Sequence, residues 1–263
     1  MYENISGLAD LEAEPRFKIA LVGEAKAGKS WLALSMPGTI FHMDFDTRIE
    51  SVKEYIRQHP ERRAEIMSKT YYDTNPAIPR AVSELEADIA MFEYQKSSGK
   101  PVPETYIIDS ITFLRACCEH ELIKQQPTWA RNIKIGTQVI KVSQGWDTVN
   151  GNKQYLEYLI SRFSELGNVI AIFHELDEKD VAKSTATVKA FTGRKTIQPQ
   201  YLSTLLSIFN DIFRVSIDYT GNRQVTVQPD SNFMASTSMK LDAVEKPSLA
   251  DMIAKHKANS GKK

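Results

Sequence analysis

The sequence has few cysteines and no long apolar run, and both absences restrict what the chain can be. Its 263 residues contain two cysteines, the adjacent pair Cys117 and Cys118. Such a pair favours a reducing compartment and argues against a disulfide framework or a cysteine-based zinc site. The apolar runs are as short as strands, and the N-terminus lacks the basic and apolar regions of a secretion signal. We therefore expect a cytoplasmic protein that makes no membrane contact.

The chain also lacks a net charge. Its 33 basic side chains balance 33 acidic ones, so no overall field attracts the protein to nucleic acid or to a membrane surface. Any binding of DNA must therefore come from local basic patches. The length fits one large α/β domain with short appendages.

A phosphate-binding loop lies near the start of the chain. The apolar residues 17–22 lead into the spacing Gly-x-x-x-x-Gly-Lys-Ser, and an amphipathic helix follows. The two glycines let successive backbone N–H groups face an anion, the lysine can reach the β- and γ-phosphates, and the serine hydroxyl can bind Mg²⁺. The predicted nucleotide-binding residues are Gly23, Glu24, Ala25, Lys26, Ala27, Gly28, Lys29, Ser30 and Trp31.

The next apolar segment, residues 39–46, ends in two carboxylates, Asp44 and Asp46. In an open α/β sheet, ligands bind at the carboxyl ends of the strands, so both side chains are expected on the phosphate side. Aspartate also favours helix caps and turns, and the sequence leaves that alternative open for each residue.

Two further apolar runs end in polar side chains. Residues 105–109 end in Asp109, which we expect to orient Mg²⁺ and its water shell from the strand beside the phosphate loop. Residues 168–174 end in His174, a candidate for sensing the γ-phosphate. A histidine at such a position is more often a structural residue than a functional one.

The remainder divides into helices, basic segments and a hairpin. Residues 47–68 read as a charged helix, and residues 211–228 alternate around a Gly-Asn turn, which predicts an antiparallel hairpin. Residues 127–153 and 175–200 carry local basic side chains and are either ligand-facing loops or ordinary surface. The expected organisation is a polar lead-in (1–15), a core (16–230) and a flexible, Lys-rich tail (231–263).

Together, the phosphate loop, the three polar strand ends and the hairpin resemble the RecA-like ATPase core. The chain is most similar to its short phage-encoded members, which include single-strand annealing recombinases. The resemblance covers roughly residues 16–230 and implies an α/β fold, with a mostly parallel central sheet flanked by helices and a C-terminal antiparallel hairpin. It also implies ATP and Mg²⁺ as ligands and, for a phage-encoded protein, the host cytoplasm as the location.

The resemblance implies a role for each site residue. Lys29 and Ser30 would bind phosphate and Mg²⁺, and Asp109 would hold the water shell of the metal. Asp46 stands where the family has a glutamate that orients the attacking water. His174 stands where recombinases have a glutamine that couples the γ-phosphate to a DNA-binding loop. The predicted catalytic residues are thus Lys29, Asp46 and His174, and the metal residues are Ser30 and Asp109.

The resemblance also implies partners. Loops 127–150 and 176–196 would face single-stranded DNA, and Arg194 or Lys195 would reach the nucleotide of a neighbouring subunit in a ring or filament. A single-strand binding protein or another replication protein is a further implied partner. Two other functions remain open: a small-molecule or nucleotide kinase on the same loop, and a non-catalytic, nucleotide-gated module that regulates a replication protein.

Overall fold

The fold is built on a central β-sheet, described from a computed structural model. The structure describes residues 16–73, 78–135, 138–143, 146–179, 191–197, 200–229, 233 and 235–260. The predicted lead-in of residues 1–15 lies outside these ranges. The strands in chain order are β1 (Lys18–Gly23), β2 (Ile40–Asp44), β3 (Ile66–Thr70), β4 (Thr105–Asp109), β5 (Ala130–Ile135), β6 (Gln138–Ser143), β7 (Asn168–Lys179), β8 (Phe191–Ile197), β9 (Asp211–Ile217), β10 (Arg223–Thr226) and β11 (Val244–Glu245).

Helices connect and cover these strands. In the described ranges, the α-helices are α1 (Lys29–Leu34), α2 (Ile49–Gln58), α3 (Ala81–Ser97), α4 (Ile111–Gln125), α5 (Trp146–Leu166) and α6 (Leu249–Ser260). Short 3-10 helices cover Pro60–Ala64, Pro127–Trp129 and Gln200–Ile208. Among the described helices, none combines the length and apolar character needed to span a bilayer.

The main sheet has the strand order β3-β2-β4-β7-β1-β9-β10-β11, with β8 paired to β7. Neighbours from β3 to β9 are parallel, whereas β10 pairs antiparallel with both β9 and β11. This arrangement confirms the predicted α/β class, with a mostly parallel sheet and antiparallel strands towards the C-terminus.

The position of β7 corrects one expectation. Strand β4, which ends in Asp109, does not lie beside the strand of the phosphate loop, because β7 pairs in parallel with β1 on one edge and with β4 on the other. The sequence indicates which strands end in polar groups, but long crossover connections leave their lateral order open. The consequence is that His174 lies between the phosphate loop and Asp109 along this edge of the sheet.

Two apolar layers cover the sheet. One contains buried side chains of α1, α2 and α6, and the other contains those of α3, α4 and α5. Residues of β1 alternate between them: Leu21 packs in the α1 layer, and Ala20 and Val22 pack in the opposite one. The doubly covered sheet explains why the parallel strands have continuous apolar sequences.

The segment 47–68 is not one helix. Helix α2 ends at Gln58, a 3-10 turn follows, and Ile66–Thr70 forms β3 at the edge of the sheet. Pro60 explains the break, since proline disfavours helical geometry at the residue before it and cannot donate a helical hydrogen bond. The many charged residues before this edge strand made the whole segment resemble one solvent-exposed helix.

The two basic segments contain strands. Strands β5 and β6 form a separate two-stranded antiparallel sheet within the predicted loop 127–150. In the other segment, β7 continues beyond His174 to Lys179 and pairs antiparallel with β8. The middle of the predicted loop 176–196, residues 180–190, lies outside the described residues.

The C-terminal segment, expected as a flexible tail with a short helix over Ser248–Lys257, contains a helix that packs on the core. Residues 249–260 form α6, and its apolar residues Leu249, Met252 and Ile253 are buried in the α1 layer of the core. The backbone N–H of Leu249 also donates to Ser35 Oγ at the end of α1, at 2.8 Å. The sequence indicates a helix here, but not that the helix packs on the core.

Replacing Leu249 tests whether α6 belongs to the folded core. Because the side chain is 0% exposed, Leu249→Ala should lower the free energy of unfolding by about 2 to 4 kcal/mol through lost burial and a residual cavity. Chemical denaturation followed by circular dichroism measures the change. The matched control is Ala254→Gln on the exposed face of α6, which should shift stability by less than about 0.5 kcal/mol. Equal stability of the two variants would contradict the docked helix.

Candidate nucleotide-binding site

The phosphate loop requires glycine at both ends for different physical reasons. A Cβ at Gly23 would lie 2.2 Å from the backbone oxygen of Val215 on β9, so only glycine permits this approach. Gly28 has a φ of 100°, a left-handed conformation that favours glycine, and its missing Cβ also makes room for Arg223. The loop between them delivers the start of α1 to the carboxyl end of β1.

Lys29 lies inside the loop. Its side chain donates to the backbone oxygens of Gly23 at 2.9 Å and Glu24 at 2.7 Å, and the residue is 5% exposed. Burial lowers the pKa of Lys29 to about 8, and the nearby carboxylates of Asp109 and Glu175 oppose that shift. The ammonium group therefore remains mostly charged at neutral pH, as phosphate binding requires.

Ser30 and Asp109, the two predicted metal residues, are in direct contact. Ser30 Oγ donates to Asp109 Oδ2 at 2.5 Å, although the residues are 79 positions apart in the chain. Burial opposes ionisation of Asp109, but the contacts with His42 and Ser30 and the charge of Lys29 outweigh it and hold its pKa below the ordinary value. An ionised carboxylate and a hydroxyl are oxygen ligands that suit Mg²⁺.

The two carboxylates after β2 have different roles. Asp44 is structural: its Oδ1 accepts the backbone N–H groups of Asp46 at 3.2 Å and Arg48 at 3.1 Å, which shapes the turn before α2. Asp46 faces the cavity instead, with its side chain 4% exposed and its Oδ2 3.1 Å from Arg48 Nε. Burial and the nearby Asp109 charge raise the pKa of Asp46 to about 7.

His174 completes the edge from the neighbouring strand. It pairs in register with Gly23, so its side chain lies beside the first residue of the phosphate loop. Burial, followed by the charges of Lys29 and Arg48, lowers the pKa of His174 to about 4. The imidazole is therefore neutral at physiological pH.

One cavity of about 390 Å³ is lined by Lys29, Ser30, Asp46, Asp109 and His174, among others. Two polar atoms of its residues, Asp46 Oδ1 and His174 Nε2, are buried without a hydrogen-bond partner among the described residues. Such atoms are costly unless something binds them, and a hydrated phosphate or metal would do so. Together with the glycine cradle and the Ser30–Asp109 pair, they fit a nucleotide with Mg²⁺. The described lining residues are Lys26, Gly28, Lys29, Ser30, Trp31, Asp46, Arg48, Ser51, Asp109, Ile172, His174 and Arg223.

Comparison with known proteins identifies the family. A sequence model of a protein family, described as an AAA domain, matches residues 16–238, which is most of the chain. The chain belongs to the AAA domain family. It is thus an ATP-binding protein with a P-loop NTPase domain, and nucleotide binding in this family typically involves Mg²⁺. A search of curated proteins found no match.

Arg48 and Arg223 are cations of this AAA domain that the sequence did not reveal as site residues. Both line the cavity, Arg48 from the start of α2 and Arg223 from β10 across Gly28. No motif marks either arginine, since each follows an ordinary turn. Arg223 and Trp31 also border a second cavity of about 330 Å³, where Trp31 packs edge-on against Tyr55.

Lys195, expected to reach a neighbouring subunit, contacts its own phosphate loop in the AAA domain. Its ammonium lies 3.0 Å from Asp177 Oδ1 and 3.3 Å from Glu24 Oε1. Glu175 lies beside this group and makes a bidentate pair with Arg214, at 2.8 and 2.9 Å. These ion pairs connect β8 and β9 to the first turn of the phosphate loop.

The raised pKa of Asp46 predicts a pH-dependent stability. The folded protein binds more protons at Asp46 than the unfolded chain does between about pH 4 and 7, so ionisation destabilises the fold as pH rises through this window. Without nucleotide, Asp46→Asn should therefore raise the Tm at pH 8 by about 2 °C or more.

Differential scanning fluorimetry between pH 4.5 and 8 measures this effect. The Tm difference between Asp46→Asn and wild type should shrink as the pH falls towards 4.5. A difference that is independent of pH, or a less stable Asp46→Asn at pH 8, would contradict the assigned burial of the carboxylate.

Proposed function

We propose that this AAA domain hydrolyses ATP with Mg²⁺ and that single-stranded DNA stimulates its turnover, in strand annealing or recombination. The observation that carries the proposal is the continuity of β7. This one strand places His174 in the nucleotide cavity and continues, five residues later, to Lys179 in the hairpin with β8. A ligand that moves the hairpin therefore acts on the strand that carries His174.

The site supports hydrolysis through positioning and charge. Lys29 would neutralise phosphate charge, and Ser30 and Asp109 would hold Mg²⁺. Asp46 would orient the attacking water through Oδ1, which has no hydrogen-bond partner in the described part of the chain. When bound, Mg²⁺ supplies neutralisation of the phosphate oxygens. Phosphoryl transfer needs little covalent participation from the protein. Groups that position the reactants and neutralise charge, as these do, are therefore the kinds of group that hydrolysis requires.

The hairpin supports contact with single-stranded nucleic acid. Phe191 on β8 is 52% exposed, and Arg194 on the same strand is exposed. An exposed aromatic ring and an exposed cation on one strand are groups that suit stacking on an unpaired base and contact with a phosphate.

A nucleotide-gated binding module is a second candidate, favoured by the state of Asp46. The carboxylate is paired with Arg48, and its pKa of about 7 leaves it partly protonated at neutral pH. The ion pair with Arg48 competes with the attacking water for the carboxylate, and the protonated fraction of Asp46 cannot accept a proton from that water. In that case ATP would bind tightly and turn over slowly under every DNA condition. A kinase acting on an added nucleoside or nucleotide would instead transfer the phosphate to that acceptor.

Two variants separate binding from hydrolysis. Lys29→Ala should abolish detectable ATP binding because it removes the buried cation of the loop, whereas Asp46→Asn should bind ATP and lose hydrolysis by about 100-fold or more. Titration calorimetry and phosphate release measure the two quantities. Equal turnover of Asp46→Asn and wild type would contradict the role given to Asp46.

The DNA dependence needs its own experiment. Phosphate release from ATP is measured over a range of single-stranded DNA and salt concentrations, since phosphate contacts weaken as salt rises. Phe191→Ala should raise the DNA concentration for half-maximal stimulation by about tenfold. The matched control is Tyr219→Ala, which removes an aromatic ring that is 100% exposed in the β9–β10 turn and should change nothing. Wild-type turnover that ignores DNA would contradict this function.

A further inference from the structure

A buried histidine connects Asp109 to β3, the strand at the edge of the sheet. His42 lies in the middle of β2 and is 1% exposed. Its Nδ1 lies 2.9 Å from Ser68 Oγ on β3, and its Nε2 lies 3.4 Å from Asp109 Oδ2 on β4. The side chain thus bridges the two strands that flank its own.

The strand register fixes this bridge. His42 is directly opposite Ser68 on one side and Ile107 on the other. Because side chains alternate along a strand, Asp109, two residues after Ile107, presents its side chain on the same face as His42. The contact therefore follows from backbone pairing.

Hydrogen-bond chemistry assigns a direction to the chain of contacts. An ionised carboxylate can only accept, so Nε2 of His42 is the donor to Asp109. In the neutral ring Nδ1 is then an acceptor, and it receives the Ser68 hydroxyl hydrogen. Both ring nitrogens are satisfied by this arrangement, and it sets the tautomer.

His42 is placed differently from Ser30 and Asp109, the two groups that would hold a metal. Among the described residues, the cavity lining includes Ser30 and Asp109 but not His42. Asp109 Oδ2 accepts from both Ser30 and His42. Of these two donors, His42 is the one that lies outside the cavity lining among the described residues.

We propose that His42 is a positioning residue, which holds the Asp109 carboxylate in the orientation that binding of the magnesium–nucleotide requires, with Ser68 fixing the imidazole. The inference rests on the proposed function, since it concerns nucleotide binding with Mg²⁺. A histidine that only packs in the core would affect folding. It would not change the difference in affinity between free nucleotide and magnesium–nucleotide.

The test measures the affinity for a methylanthraniloyl derivative of ATP, once with EDTA and once with Mg²⁺. The ratio of the two dissociation constants is the magnesium gain of each variant. His42→Phe keeps a ring in the core but removes the donor, and it should reduce the gain by about tenfold while leaving the affinity in EDTA within about twofold of wild type. His42→Gln, whose amide can donate to Asp109, should retain most of the gain.

A second pair of variants tests the same chain from the exposed end, where the core is untouched. Ser68→Ala removes the hydroxyl that orients the imidazole and should reduce the gain by about threefold. Ser68→Thr keeps the hydroxyl and should match wild type. This pair decides the question if the His42 variants do not fold.

The outcomes distinguish the inference from the proposed function. A loss of gain in His42→Phe and Ser68→Ala, restored in His42→Gln and Ser68→Thr, supports the positioning role. A wild-type gain in His42→Phe, or equal gains in the two Ser68 variants, would overturn that role and leave the proposed function intact. A wild type that does not bind the nucleotide with Mg²⁺ would overturn both.

Discussion

The site depends on the insertion of β7 between β1 and β4. This pairing aligns three parallel strands so that the phosphate loop, His174 and Asp109 share one edge. The Ser30–Asp109 hydrogen bond then spans the width of β7 and joins α1 to β4. Every catalytic assignment made above requires this lateral order, because each strand contributes one group and no strand contributes the whole site.

The second constraint is electrostatic. Two of the cations that line the cavity, Lys29 and Arg48, lie close to the carboxyl groups of Asp46 and Asp109. Burial makes each charge costly, which is why the pKa values of Lys29 and Asp46 both move towards neutrality. A bound phosphate and a bound metal would supply the opposite charges that these groups lack. The buried charges therefore fit a site that a nucleotide and a metal would stabilise.

The sequence was most informative where the type of residue and its spacing determine the local structure. The phosphate loop, the α/β class and the convergence of Asp46, Asp109 and His174 on one cavity could all be predicted, because glycine spacing and polar strand ends follow from backbone geometry. Asp44 illustrates the limit. Asp44 lies only two residues before Asp46, after the same apolar run, yet its hydrogen bonds make it a turn residue.

The missed features depend on contacts between distant segments. Arg223 enters the site only because the β9–β10 hairpin folds back across Gly28, and His42 contacts Asp109 only because β2 and β4 are neighbours. Likewise, α6 packs on the core through three apolar side chains within a lysine-rich segment. Local periodicity and composition contain no information about such pairings.

The most direct test of the account is to locate the metal. Crystals grown with Mn²⁺ in place of Mg²⁺ and a non-hydrolysable ATP analogue would give an anomalous signal from the manganese. The account predicts a single strong peak within ligand distance of Ser30 Oγ and within one water molecule of Asp109, beside the phosphates at the loop. A metal peak elsewhere, or a nucleotide bound away from Lys29, would contradict the claim that these three strand ends form one nucleotide site.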